Sequence, residues 1–176
     1  EAAKRGLPIL DDSVAAFPVL GAKKTADLFK KYGVLNKAEV DSRAHITVEK
    51  YVKQKTIEAE TMVQMARQLI VPAALEQQRR TAATLETTEA AGVKDARLRK
   101  ALQEYVATVG SFAASVDSLE TIAGKHDEDP MTHATYIKTR VRPAMAEVRL
   151  LADQLEQLIA RELWPLPTYR DLLFLK

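Results

Sequence analysis

Residues 98–123, LRKALQEYVATVGSFAASVDSLETIA, carry the pattern that decides the fold. Apolar side chains recur there at alternating steps of four and three residues, which is the a/d spacing of a heptad helix. The positions are Leu98, Leu102, Tyr105, Val109, Phe112, Val116, Leu119 and Ala123. A second stripe with the same spacing comprises Ile137, Val141, Ala144, Val148, Leu151, Leu155 and Leu158. Each stripe must be buried against another helix, so the two stripes predict an antiparallel helical bundle.

A longer helical segment precedes these two helices. Asn36 and Glu39 have the spacing of a capping box, and no glycine follows them until Gly92. Apolar residues keep mainly helical spacing between these points, at Val40, Ala44, Val48, Tyr51, Ala59, Met62, Ala66, Leu69 and Ala73. Pro72 lies inside this segment and Pro143 inside the last helix, and each should bend its helix because an interior proline removes a hydrogen bond. The sequence thus predicts one helix of roughly 75 Å with a kink near Pro72.

Together these elements predict an all-α fold in a single helical domain that spans 1–176. The expected ranges are 1–35 for an irregular stretch plus a short helix, 36–88, 93–124 and 130–163 for three long helices, and 164–176 for an apolar C-terminal tail. The short helix should end at Gly33, and Asp129 followed by Pro130 should begin the last helix. The first long helix is much longer than the others, so part of its surface is expected to meet a partner.

The composition limits the possible functions. The 176 residues carry a net charge of +2, which gives no reason to expect binding to nucleic acid. The chain has no cysteine, which excludes disulfides, thiolate metal sites and a cysteine nucleophile. No apolar run approaches the length of about 18 residues that a membrane span needs, and no signal-peptide pattern follows Glu1. We therefore expect a cytoplasmic protein, and a start at Glu1 fits either a mature terminus or a piece of a longer protein.

No stretch of the sequence matches a catalytic or metal-binding pattern. Residues 126–129 (His-Asp-Glu-Asp) and His133 resemble a metal cluster in composition, but their spacing fits no zinc, EF-hand or di-iron pattern. We interpret them as a solvated loop between helices that ends in an N-cap aspartate. Glu49, Glu58 and Glu60 are interpreted as solvent-facing charges, because a di-iron bundle also needs Glu-x-x-His on two helices.

A group of basic residues flanks the turn at Gly92 from both sides. It comprises Arg79, Arg80, Arg97, Arg99 and Lys100. Such a tip would suit phosphate, but Glu86, Glu89 and Asp95 dilute its charge, so solvated helix ends are the favoured interpretation. The sequence therefore predicts no catalytic, cofactor-binding or metal-binding residue, and an enzyme with its own site inside the bundle is the least favoured function.

Five short stretches form an ordered set that runs from about residue 3 to the end of the chain. They are Ala3–Pro8 (AKRGLP), Leu28–Val34 (LFKKYGV), Ile57–Met62 (IEAETM) continuing to Ala66 and Arg67, Pro72 with Ala73, and Glu162–Arg170 (ELWPLPTYR). In this order they resemble the C-terminal region of type III glutamine synthetases, the large-subunit bacterial class. The resemblance implies a parent enzyme that makes glutamine from glutamate, ammonia and ATP with Mg or Mn, in a dodecamer of two stacked hexameric rings. It places the active site in upstream β-grasp and α/β domains, so no catalytic residue is carried over onto this chain.

The resemblance also implies a role for the apolar tail, which would face the enzyme's own catalytic domain or a neighbouring subunit. The candidate interface residues are Leu163, Trp164, Leu166, Tyr169, Leu172, Leu173 and Phe174. The alternative is that the tail folds back onto this chain's own bundle, which is favoured for Trp164 and Tyr169. The implied function is that of a non-catalytic structural and oligomerisation domain. The alternative function is a free-standing helical adaptor or sensor module that binds a protein partner.

Overall fold

The computed structural model describes residues 1–7 and 9–174, so Pro8 of the AKRGLP stretch lies outside the described residues. Of Ala3, Tyr169 and Arg170, only the main chain is described. Every regular element in the described part is helical, which confirms the all-α prediction. The α-helices are α1 (Ser13–Leu20), α2 (Lys23–Lys31), α3 (Lys37–Met65), α4 (Val71–Ala90), α5 (Ala96–Ala123), α6 (Pro130–Tyr136), α7 (Arg142–Leu158) and α8 (Tyr169–Leu173). A 3₁₀ turn (Ala3–Arg5) and two π-helical segments (Ala66–Ile70 and Ile137–Val141) complete the set.

The predicted long helix runs from Lys37 to Ala90 as α3, the first π segment and α4. It begins with the capping box expected from the sequence. The N–H of Glu39 donates to Asn36 Oδ1 at 3.0 Å, and the N–H of Asn36 donates to Glu39 Oε2 at 2.7 Å. The chain turns after Ala90 at Gly92, whose φ of +83° favours glycine.

The interruption near Pro72 takes the form of the first π segment, which ends at Ile70. Proline has no N–H to donate, and its ring crowds the carbonyl four residues earlier. A turn widened to the π pattern accommodates both effects, because the carbonyl is no longer aligned as in an α-helix. The same order recurs in the last helical region, where the second π segment ends at Val141, two residues before Pro143.

The last predicted helix, 130–163, consists of α6, the second π segment and α7, and it ends at Leu158. Its start is as predicted, since the Asp129 carboxylate accepts a main-chain N–H of the first turn at 2.7 Å. Its earlier end has a long-range cause. The N–H of Ala160 donates to Gln77 Oε1 of α4 at 3.1 Å, so it does not extend the hydrogen-bond ladder of α7.

The helices are arranged in two compact units. Unit 1 comprises Glu1–Glu58 and Lys125–Val141, and unit 2 comprises Ala59–Gly124 and Arg142–Lys176. Compact units are not necessarily separate domains, so the single domain stays a prediction.

The core of unit 2 is built on the heptad stripe of α5. Its buried members are Tyr105, Val109, Phe112, Val116 and Leu119. α4 lies antiparallel to α5, because the Tyr105 hydroxyl donates to the Ala74 carbonyl at 3.0 Å while Arg67, seven residues earlier, binds Asp117 near the other end of α5 at 2.9 Å. α7 packs on the same helix and supplies Ala144, Val148 and Leu155. The stripe read from 98–123 therefore lies at the centre of the unit.

One position of the long stripe and one of the last were wrong by a single residue. Val63 and Ile70 are buried, whereas Leu69, expected inside, is 39% exposed. Leu158 is likewise exposed, and Ile159 is buried in its place. In each case two neighbouring residues are apolar, so the hydrophobic pattern alone does not decide which of them faces the core.

Unit 1 has a smaller core than unit 2. Val14, Val48 and Ala134 are buried in it, and Phe17, Tyr51, Val52 and Met131 pack around them. The Asp12 carboxylate caps α1 by accepting the N–H of Ala15 at 3.0 Å and pairs with Lys138 Nζ at 3.0 Å. These contacts join α1 to the second segment of the unit.

Candidate functional site

The segment after α7, which contains the predicted interface residues, is attached to α4. Ile159 is buried, and Arg80 donates to Glu162 Oε1 at 2.8 Å. The N–H of Trp164 then donates back to the Ala160 carbonyl at 3.1 Å and closes a turn. Leu163, Trp164 and Leu166 of this segment are half-buried.

The α4 side of this attachment is a cluster of charges around Glu76. Arg79 Nη2 donates to Glu76 Oε1 at 2.7 Å, and Arg80 Nε donates to the same oxygen at 3.0 Å. These two hydrogen bonds lower the pKa of Glu76 to about 2, so this carboxylate is ionised at neutral pH. Arg80 thereby links Glu76 of α4 to Glu162 of the segment after α7 at the protein surface.

The tail ends in α8, a short helix that the sequence analysis missed. The N–H of Thr168 donates to Asp171 Oδ2 at 3.0 Å, and the N–H of Asp171 donates to Thr168 Oγ1 at 3.3 Å, which is a capping box. Arg161 Nη2 donates to Asp171 Oδ1 at 2.9 Å. The hydrogen bonds from Thr168 and the nearby Arg161 charge lower the pKa of Asp171. The signal was present in the sequence as Thr-x-x-Asp at 168–171.

The structure separates the predicted interface residues into two groups. Leu163, Trp164 and Leu166 are half-buried, whereas Leu172, Leu173 and Phe174 are 56%, 75% and 73% exposed. The side chain of Tyr169 lies outside the described residues. Side chains of this kind have no reactive group, so the exposed trio is suited to packing against another surface.

A cleft of about 580 Å³ lies between the end of α7 and the tail. It is lined by Asp153, Glu156, Gln157, Ile159, Arg161, Trp164 and Thr168. Several of its polar groups are already engaged. Asp153 binds Arg149 at 2.7 Å, and both Arg161 and Thr168 bind Asp171. These contacts within the chain account for these polar side chains of the cleft, so a bound ligand is not needed to explain them.

The histidine-containing loop at 124–129 is exposed and ends in the N-cap Asp129, as predicted, whereas His133 lies beyond it in α6. His133 is buried, and its ring lies 5.7 Å from that of His126 in an edge-on arrangement. Burial, together with the nearby His126, lowers the pKa of His133, although a hydrogen bond to the Asp127 main chain opposes this effect. The sequence analysis missed the burial of His133, which lies beside the buried Ala134 and on the same helical stretch as the buried Ile137. Within the described residues no three His, Asp or Glu side chains are grouped so as to hold a metal ion.

The other charged candidates are paired with neighbours. Glu58 accepts from Lys55 Nζ at 2.6 Å, which lowers its pKa, and Glu49 lies 3.4 Å from His45 Nε2. Glu60 is exposed on α3. At the basic turn, Arg99 binds Glu89 across Gly92, and Lys100 lies 3.6 Å from Glu104. These pairings agree with solvated, charge-balanced helix ends. In the described part of the chain, no helix is both long and apolar enough to cross a bilayer.

This chain is similar in sequence to proteins of known family. The sequence matches the family described as the glutamine synthetase C-terminal domain over residues 1–89, just over half of the chain. The type-3 glutamine synthetase of Dictyostelium discoideum is 27% identical to it, and glutamine synthetases of Butyrivibrio fibrisolvens and Bacteroides fragilis are each 28% identical. These alignments cover 99–100% of this chain. The chain spans about a quarter of the length of these relatives.

The fold and the paired surface charges define an all-helical region with apolar packing surfaces. More specifically, the chain belongs to the glutamine synthetase C-terminal domain family, and its resemblance to the C-terminal region of type III glutamine synthetases is confirmed. The relatives come from an amoeba as well as from bacteria, so a bacterial source stays a prediction.

Proposed function

We propose that this chain is the non-catalytic C-terminal helical domain of a type III glutamine synthetase and that its role is structural. The observation that carries the proposal is the coverage: nearly all of this chain aligns with only a quarter of each relative. A piece of that size leaves room upstream for the parts that perform the chemistry.

In this proposal the parent polypeptide is a cytoplasmic enzyme that ligates ammonia to glutamate at the expense of ATP. ATP and Mg or Mn would be bound upstream. Among the described residues of this chain, no three donor side chains are grouped so as to hold a metal ion.

In this structural role, apolar side chains of the tail would pack against another surface, and ion pairs would hold the tail in place. The Arg80–Glu162 and Arg161–Asp171 pairs hold the tail so that it presents Leu172, Leu173 and Phe174 outward. We propose that this trio packs against the enzyme's own catalytic domain or a neighbouring subunit of a homo-oligomer, with a dodecamer as the expected assembly.

The proposal is tested first by the coding sequence upstream of Glu1 and then by assay. We expect several hundred upstream codons, glutamine synthesis by the full-length polypeptide and no turnover by the 176-residue chain. A start codon directly before Glu1 would contradict the proposal and leave the adaptor function. Turnover by the isolated chain would contradict its non-catalytic character.

The oligomerisation role needs a separate measurement. Leu173→Glu with Phe174→Glu in the full-length polypeptide should shift its mass, measured by light scattering, to smaller species. Leu150→Glu is the matched control, because Leu150 is 60% exposed on α7. An unchanged mass for the tail variant would refute the oligomerisation role while leaving the family assignment intact.

A further inference from the structure

A second apolar surface lies on α2 and its C-terminal turn, outside the tail. The N–H of Gly33 donates to the Lys30 carbonyl at 3.1 Å, and the N–H of Val34 donates to the Phe29 carbonyl at 2.9 Å. With Gly33 at φ +65°, these two bonds form a Schellman motif. This motif turns the chain back, so that Val34 follows the last turn of α2 instead of leaving along its axis.

The apolar residues of α2 fall into an inner and an outer set. Ala26 is buried and Phe29 is half-buried, which attaches the helix to unit 1. Leu28 and Tyr32 lie four residues apart and therefore share a face, and they are 53% and 69% exposed. Val34, which the Schellman motif returns to this end of the helix, is 61% exposed. We call Leu28, Tyr32 and Val34 the α2 patch.

The α2 patch has a basic rim. α2 carries four lysines, Lys23, Lys24, Lys30 and Lys31, against a single acidic residue, Asp27. The ammonium group of Lys31 lies 5.5 Å from the centre of the Tyr32 ring, so positive charge borders the apolar surface directly. A complementary partner surface is therefore apolar at its centre and acidic around it.

We propose that the α2 patch is a docking surface for the upstream part of the same polypeptide, on an apolar area bordered by Asp or Glu side chains. This inference rests on the proposed function. Relatives of this chain are about four times its length, so the missing part is large and would be covalently tethered. A tethered partner meets the patch at a high effective concentration, which favours it over a free protein.

The absence of cysteine from the chain permits a direct test by thiol labelling. Val34→Cys and Leu28→Cys each place a thiol in the patch, and Ser111→Cys places one on the exposed side of α5 as the control. Each variant is made in the full-length polypeptide and in the 176-residue chain, and reaction with a maleimide is followed by mass spectrometry of the peptide that holds the new thiol. That readout is independent of any cysteine upstream.

We expect Val34→Cys and Leu28→Cys to react at least about tenfold more slowly in the full-length polypeptide, with a change below about twofold for Ser111→Cys. The protection should not change on dilution, because the partner is tethered. Equal rates in both polypeptides would overturn the inference, even where the full-length protein synthesises glutamine and the proposed function stands. Protection that appears in the isolated chain only with rising concentration would identify a second copy as the occupant. Protection of the thiols in the isolated chain by phosphatidylserine vesicles would identify a membrane as the occupant of the patch. Either of these two results would overturn the inference.

Discussion

Tyr105→Phe removes one oxygen atom from the centre of unit 2 and leaves the aromatic ring in place. Tyr105 is 8% exposed, and its hydroxyl donates to the Ala74 carbonyl of α4 at 3.0 Å. Ala74 is completely buried, so this bond joins two helices where water has no access. The substitution therefore isolates one interhelical hydrogen bond without opening a cavity.

The expected loss of unfolding free energy is about 1 kcal/mol, the net value of a buried neutral hydrogen bond. It should not approach the cost of an unsatisfied buried group, because the Ala74 carbonyl also lies within the hydrogen-bond ladder of α4. For a chain of this size the loss corresponds to a fall in Tm of about 2–4 °C. Tyr32→Phe is the matched control, since Tyr32 is 69% exposed, and it should change the stability by less than about 0.5 kcal/mol.

Urea unfolding followed by fluorescence measures this effect locally, because the single tryptophan, Trp164, belongs to unit 2. A second signature is the pH dependence. Burial raises the pKa of Tyr105 to about 12 from an ordinary 10.0, so the unfolded chain ionises first and stability should fall between these two pH values. In the Tyr105→Phe variant, the part of this alkaline loss of stability that comes from Tyr105 should be absent. A stability equal to wild type, with an unchanged alkaline fall, would refute the assigned role of this hydroxyl.

Two glycines should respond in opposite directions to alanine in urea unfolding followed by circular dichroism. Gly33→Ala should cost about 1–2 kcal/mol because of its φ of +65°, whereas Gly110→Ala in the open middle of α5 should gain about 0.5–1 kcal/mol; the same sign for both would contradict this. Because its pKa lies below the ordinary 6.5, the buried His133 favours the neutral form, so stability should be lost as the pH falls through 6.5. The slope of the urea midpoint against pH should be smaller for His133→Gln than for wild type across this range, and an unchanged slope would count against burial as the cause.

Elements defined by short-range signals were predictable from the sequence. The Asn36–Glu39 capping box and the Asp129 cap depend on residues three apart, and both form as expected. The α5 stripe was also predictable, because its alternating steps of four and three residues continue over eight positions and so define one buried face. The all-helical class follows from these local features together.

Features that depend on distant partners were not predictable. The end of α7 is set by Gln77, whose side chain accepts the N–H of Ala160 from 83 residues away. The choice between Leu69 and Ile70 is likewise made by packing against other helices, since both are equally apolar. For the candidate interface in the C-terminal tail, the composition indicated correctly that the segment is apolar. It did not indicate that Leu163 would be half-buried and Leu173 exposed, because that depends on where Arg80 attaches the chain.

The two π segments have a consequence for how this chain can change in length during evolution. A π turn holds one residue more than an α turn, and the residues on both sides of the first segment, Ala66, Ile70 and Ala74, are buried. A deletion of one residue inside such a segment would restore an ordinary α-helix and keep the same faces inward. The same deletion in α5 would rotate every later side chain by about 100° and expose half of its stripe. Descendants of this sequence should therefore gain or lose single residues at Ala66–Ile70 and Ile137–Val141, or in the turns, and keep the remaining helix lengths fixed.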